Sequence, residues 1–240
     1  MMASAHQSLF AQALPEPAPD GGGFVVVLDG SALCTPGRLR LKLPSRALAQ
    51  AIAGEWAAQT TRIDPLSMPL TRLANVAIER TPQTRAALAA EVRRYGETDL
   101  LHHRADSPEG LVRCQADAWD PILDWGEGAL GLRLEIVQGV IAPARDASVL
   151  AQAALALDDF RLTGLVHGAN RLGSAFLAFA LLRQRIAAME ALRLARVDED
   201  FQEARWGQDA QSQAAKRAQE ADLLALGRFF ALLDAADTAL

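Results

Sequence analysis

The hydrophobic residues of this chain change their spacing near residue 44, and the change divides it into two kinds of structure. Before that point the signals are those of strands and tight turns. Leu39-Arg40-Leu41-Lys42-Leu43 alternates strictly, the period of a strand with one buried face. Phe24 to Leu28 is an apolar run closed by Asp29-Gly30, a strong hairpin turn dipeptide, and Ala32 to Thr35 ends at Pro36-Gly37. Three such strands make a meander that is marginal alone and needs a helix across its apolar face. Pro44-Ser45 offers that helix an N-cap, and Leu48, Ile52 and Trp56 then fall on one side of it. A further helix is predicted through Leu73, Val76 and Ala77, stopping near Thr81-Pro82.

From Pro82 onward helical spacing dominates. Helices are predicted over 85–94 and 108–125, with Gly96 a possible interruption, and over 146–156, 158–182, 184–206 and 209–235. In the second of these last four, Leu162, Leu165, Val166, Ala169, Leu172, Phe176 and Ala180 form an apolar stripe too broad for a surface helix. Leu132 to Val137 alternates, as a strand or an extended connection would. The expected fold class is α+β: a small N-terminal β-meander plus helix unit followed by a C-terminal all-helical bundle. Residues 1–23, with Pro15, Pro17, Pro19 and three glycines, read as a flexible lead-in; 24–81 form the small α/β domain and 82–240 the helical one.

Charge and composition narrow the function. A net charge of −5 and scattered arginines, with no basic run, argue against nucleic-acid binding, which needs clustered cations. The longest apolar run, Leu172 to Leu182, is far short of the ~20 residues that span a bilayer. Residues 1–23 contain no Lys or Arg, unlike a secretory or mitochondrial leader, so a cytoplasmic location is expected. Cys34 and Cys114 stand alone and read as two separate thiols in a reducing compartment. Heavy use of Ala, Leu and Arg against two lysines suggests a bacterium.

Catalytic and cofactor chemistry finds little support. Gly126-Glu127-Gly128-Ala129-Leu130-Gly131 matches the dinucleotide fingerprint by letter, but a helix ending at Trp125 precedes it and a candidate strand at Leu132 follows. A phosphate-binding loop needs the reverse order, so a helix end and loop is the favoured reading. His102-His103 is the lone histidine pair, and neighbours on a regular strand or helix point apart, so the two cannot chelate a metal by themselves. His167 sits beside the apolar stripe as an ordinary helix-face histidine, and no serine has a nucleophile-elbow setting. No cofactor, no metal site and no enzymatic activity are expected.

One acidic cluster invites a role. Asp198-Glu199-Asp200 with Glu203 could be a solvated helix face, yet Leu192, Ala195, Glu199, Gln202 and Trp206 share one stripe at steps of three and four. A carboxylate bordered by Leu192 and Trp206 could anchor a partner's cation or backbone amides.

Several segments in the same order resemble the assembly chaperones that protect the free alpha subunit of the F-type ATP synthase. They are Leu28-Asp29-Gly30, Thr35-Pro36, Leu43-Pro44, Ala53 to Gln59 with Glu55-Trp56, Ile63-Asp64-Pro65, Met68-Pro69-Leu70-Thr71-Arg72 and Ala74-Asn75. Further on come Thr98-Asp99-Leu100-Leu101, His103-Arg104, Trp119-Asp120-Pro121 with Trp125, Glu199-Asp200-Phe201-Gln202 and Trp206-Gly207. The resemblance covers roughly residues 24–210. It implies a non-enzymatic chaperone, monomeric when free, whose transient partner is the alpha subunit until the beta subunit takes its place. It also implies that the functional acid is Glu199 or Asp198, and we take Gln202 and Trp206 as their partner-binding neighbours. The competing expectation is a small-molecule enzyme with a pocket between the two domains.

Overall fold

The computed structural model describes residues 8–138, 146–207 and 210–235. The chain divides into two compact units. The first comprises residues 1–83 with 228–240, and the second residues 84–227. Residues 1–7 of the expected lead-in and the last residues, 236–240, lie outside the described residues.

The first unit holds a three-stranded antiparallel sheet in the order β1 (Ala13–Pro17), β2 (Phe24–Leu28), β3 (Ser31–Ala32). Here the expectation of a flexible lead-in fails for its second half. Ala13 pairs with Leu28 and Pro17 with Phe24, so the proline-rich segment is a strand. Pro15 and Pro17 read as strand breakers, but β1 is an edge strand, and an edge leaves half its N–H groups without a ladder role. Asp29 and Gly30 take φ of 47° and 84°, the two positive values of the hairpin turn that the dipeptide predicts. The third expected strand is reduced to the bridges Cys34–Arg40 and Phe24–Leu43. Leu41 and Leu43 are buried as the alternation requires, but Leu39 is exposed.

Helix α1 (Arg46–Ala57) covers the sheet's apolar face, with Ser45 Oγ accepting from Leu48 N at 3.1 Å at its N-cap. Leu48 and Ile52 are fully buried with Val26, Leu41 and Leu43. A single 3-10 turn (Pro65–Ser67) leads into α2 (Pro69–Glu79). The end of the last helix also belongs to this unit: Ser45 Oγ donates to Leu232 O at 2.6 Å, and Phe229 and Phe230 are buried.

The second unit is mostly helical: α3 (Thr81–Glu97), which begins in the first unit, α4 (Glu109–Leu130), α5 (Ser148–Leu155), α6 (Asp159–Leu172), α7 (Ala175–Leu182), α8 (Ala188–Ala195), α9 (Val197–Trp206) and most of α10 (Ala210–Asp234). It is not purely helical. His103–Arg104 (β4) and Val137–Gln138 (β5) pair in parallel, which assigns the alternating 132–137 segment in part to a strand. Gly96 does not interrupt α3, which continues to Glu97.

Two long predicted helices are each broken in two. The apolar stripe of 158–182 is cut by Gly173, at φ 64°, and Ser174, whose side chain caps α7 at Leu177 N. A left-handed residue ends one helix and a hydroxyl starts the next, so the stripe turns a corner. All eight residues of α7 are buried, as expected of a helix apolar on every side. Similarly, 184–206 splits at Arg196 into α8 and α9.

The fingerprint-like glycines belong to a helix and its end, not to a loop between a strand and a helix. Helix α4 runs past Trp125 to Leu130, so Gly126 and Gly128 lie inside it and Gly131, at φ 69°, ends it. A Cβ on Gly126 would fall 2.3 Å from Phe176 Cε1, which fixes the closest approach of α4 and α7.

Candidate functional site

The break at Arg196 changes the setting of the acidic cluster. Leu192 and Ala195 are buried on α8, whereas Glu199, Gln202 and Trp206 are exposed on α9. The single stripe expected across these residues therefore does not exist. Trp206 is 82% exposed, and no apolar border with Leu192 forms. The physical cause is the turn between the helices, which resets the angular phase on which a continuous stripe depends.

What α9 has instead is two faces with different electrostatics. Its inner face is held by a cluster of ion pairs. Arg196 Nη2 meets Glu203 Oε1 at 2.7 Å and Arg196 Nε meets Asp200 Oδ1 at 3.4 Å. Lys216 Nζ, from α10, lies 2.8 Å from Asp200 Oδ1, and Ser212 Oγ donates to Glu203 Oε1 at 2.9 Å. Two cations thus neutralise Asp200 and Glu203, and both acids are used up in docking the helix. Asp198 is also occupied, since Gln115 Nε2 donates to its Oδ1 at 2.7 Å. The same buried Gln115 accepts from Ala105 N at 2.8 Å, so Asp198 belongs to a hydrogen-bonded strut between α4 and α9.

Glu199 differs from these three. It is exposed and makes no hydrogen bond or ion pair with any described residue. Gln202 and Trp206 follow at steps of three and four, so all three side chains project from one exposed face. An unpaired carboxylate beside an amide and an exposed indole can accept from a partner's cation or backbone N–H while the ring covers apolar surface.

The approach to α9 is stiffened from below. Arg104 is buried, donates to Asp120 Oδ1 at 2.7 Å and to Leu101 O at 3.2 Å, and lies 5.1 Å over the Trp119 ring. Trp119 Nε1 in turn donates to Leu194 O at 2.7 Å, two residues before Arg196. Sequence reasoning did not single out Arg196, Gln115 or Lys216. Arg196, Asp200 and Glu203 do stand at i, i+4 and i+7, a spacing that marks one helical face and could have revealed the ion pairs. Gln115 falls in the helical row of Leu111, Ala118 and Ile122, but nothing local at Gln115 or Lys216 announces their partners, which lie 83 and 16 residues away.

The two histidines do not point apart as expected. His102 closes a 3-10 turn and His103 opens β4, and their rings meet edge to face at 5.1 Å. Among the described residues no three His, Cys, Asp or Glu side chains converge as a metal site. Within that range no helix is long and apolar enough to cross a membrane. Cys34 and Cys114 are both free and exposed.

A small sheet unit followed by helices defines an α+β protein. Comparison with known proteins makes the class specific. The model of the family described as ATP12 chaperone protein matches residues 10–127. The crystal structure of Atp12 from Paracoccus denitrificans is 42% identical, with a TM-score of 0.88, covering 95% of this chain and 98% of that one. A mutant of P. denitrificans Atp12p with an aspartate replaced by lysine gives the same values, 42%, 0.88, 95% and 98%. The mitochondrial protein atp12 of Schizosaccharomyces pombe is 24% identical over 207 residues, which are 78% of this chain and 69% of that protein. This chain belongs to the ATP12 chaperone family.

Proposed function

We propose that this protein is an assembly chaperone that holds the unassembled alpha subunit of the F-type ATP synthase catalytic head until the beta subunit replaces it, and that Glu199, Gln202 and Trp206 form its client-binding face. A subunit awaiting assembly exposes an interface meant for its neighbour, and such apolar patches aggregate. Covering that patch with moderate affinity is sufficient, because the beta subunit can then displace the chaperone by mass action. The chaperone class of the family supports the first half of this reading, and the segments resembling alpha-subunit chaperones support the choice of client.

The single observation that carries the site is the contrast among the four acids of α9. Asp198, Asp200 and Glu203 are bonded within the protein, and Glu199 alone of the four faces outward with no partner among the described residues. Glu199 is accordingly the functional acid, and Asp198 is a structural strut. The protein works in the cytoplasm of a bacterium, binds transiently and performs no reaction of its own.

The test is light scattering of the isolated cognate alpha subunit with and without this protein, followed by addition of the beta subunit. Suppressed scattering that is relieved when beta arrives is the expected result. Glu199→Lys is expected to abolish suppression with unchanged circular dichroism. Asp198→Asn, which keeps an acceptor for Gln115, is expected to retain it. Suppression that survives Glu199→Lys would put the site elsewhere.

A further inference from the structure

Helix α9 carries the candidate client face but buries little of itself. Val197 is its one buried residue. Val197, Phe201 and Ala204 line an open hollow of about 450 Å³, which they share with Asp117 and Ala118 of α4. A helix is locked in place by close packing, and a gap on its apolar side forfeits those contacts. Apolar contact alone therefore does not fix the rotation of α9 about its own axis.

Polar contacts fix it instead, and they sit on both sides of Glu199. Successive residues of an α-helix lie about 100° apart around the axis, which places Asp198 and Asp200 to either side of Glu199. Asp198 is tied to α4, accepting from Gln115 Nε2 at 2.7 Å. Asp200 is tied to α10 through Lys216 Nζ at 2.8 Å, and Glu203, a turn beyond Glu199, to Arg196 Nη2 at 2.7 Å. Rotation of α9 in either direction stretches one of these ties, and Glu199 points outward while both hold.

Arg196 is the centre of this clamp. It stands in the turn between α8 and α9, its side chain is 11% exposed, and it reaches both Asp200 and Glu203. Its Nη2 donates to Glu203, whereas its buried Nε lies 3.4 Å from Asp200 Oδ1 without hydrogen-bond geometry, an attraction of charge alone. Arg196 and Lys216 balance Asp200 and Glu203 one for one, and losing either cation leaves an excess negative charge in a partly buried cluster. We propose that Arg196 is a positioning residue for client recognition, holding α9 at the rotation that presents Glu199, Gln202 and Trp206 together. It acts through the helix, without touching the client, and the inference rests on the reading of α9 as the client face.

The sign of the effect is diagnostic. If net charge near the face were all that mattered, removing a cation beside Glu199 would strengthen the hold on a partner's cation. Positioning demands the opposite. Arg196→Gln in the full chain is expected to raise the concentration needed for half-suppression of alpha-subunit scattering on the order of tenfold, the scale of coupling between neighbouring charges. The Phe201 and Gln202 amides are expected to exchange hydrogen faster, while Leu177 in the buried α7 keeps its protection. Arg196→Lys should retain most of the suppression. Adding Glu203→Gln to Arg196→Gln rebalances the cluster, leaves the ties of Asp198 and Asp200 in place, and should restore most of what was lost. Lys216→Gln, at a more exposed cation of the same cluster, should weaken suppression in the same direction, and it stands in if Arg196→Gln fails to fold.

The proposal is overturned if Arg196→Gln suppresses as well as the native protein or better, or if adding Glu203→Gln restores nothing. Loss of Leu177 protection alongside that of Phe201 in both single variants would reduce the cluster to a support of the whole unit and overturn it equally. Glu199→Lys separates the two readings. If it abolishes suppression while Arg196→Gln is silent, only the positioning role is removed. If suppression survives Glu199→Lys, the client face and the positioning role fall together.

Discussion

At the scale of single residues, burial decides more than chemical type. Asp99 is fully buried at the start of a 3-10 turn, where it accepts from Leu101 N at 3.1 Å and from Phe176 N at 3.2 Å. Loss of solvent penalises its charged form more than these bonds favour it, and its pKa is pushed up to about 6 from the usual 3.8. The consequence for stability follows from proton linkage. Below about pH 4 Asp99 is protonated whether folded or not, and the contribution is fully present. Between about pH 4 and 6 the unfolded chain has released its proton and the folded one has not, so stability falls as pH rises, by on the order of 3 kcal/mol in total. Urea unfolding of the native protein and Asp99→Asn at pH 4 and pH 7 is the measurement. The native protein is expected to gain relative to the variant at the lower pH. A difference that is flat with pH would show that the bonds to Leu101 and Phe176 balance burial, and one that grows toward pH 7 that they outweigh it. Asp99 stands in the Thr98-Asp99-Leu100-Leu101 segment noted from sequence, but nothing local announces that residues of α7 enclose it.

At the scale of elements, propensity and packing can be separated within one helix. Gly126 and Gly128 sit two apart in α4, and a weak sequence motif joins them. A side chain on Gly126 meets Phe176, whereas nothing lies within 4 Å of the position a Cβ would take on Gly128. Gly126→Ala is expected to destabilise by about 1–3 kcal/mol through overpacking. Gly128→Ala, in an exposed helix interior, is expected to stabilise by up to about 1 kcal/mol through backbone propensity. Chemical denaturation of the two variants distinguishes these roles, and equal effects would mean that Phe176 yields easily. The same logic explains the split of the predicted helices at Gly173 and Arg196. Periodicity in sequence tracks apolar residues across a short break without registering that the axis has turned.

At the scale of the molecule, the chain returns to where it began. Residues 228–240 belong with the first 83, and Phe229, Phe230 and the Leu232 carbonyl complete that unit. Removing a buried Phe side chain costs roughly 3–5 kcal/mol, and the whole stability of a domain is about 5–15 kcal/mol. Truncation after Gly227 is therefore expected to unfold the first unit, read as loss of hydrogen-exchange protection at Val25, Val26 and Val27 in β2. Native protection of these amides in the truncated chain would show that the sheet and α1 hold without the last helix.

Sequence by itself determined what local chemistry can encode. The Asp29-Gly30 turn, the Ser45 cap, the apolar face of α1 and the broad core stripe were all legible, because each is set by neighbours within a turn or two. So was the α+β class, since the two hydrophobic periods belong to different structures. Tertiary structure alone decided the rest. Pro15 and Pro17 became a strand because β2 offered an edge that tolerates them. Glu199 was separated from Asp198, Asp200 and Glu203 by Gln115, Arg196 and Lys216, which occupy the other three carboxylates and leave one facing outward. Which acid is satisfied depends on which distant donor arrives, and that arrival is a property of the packed chain.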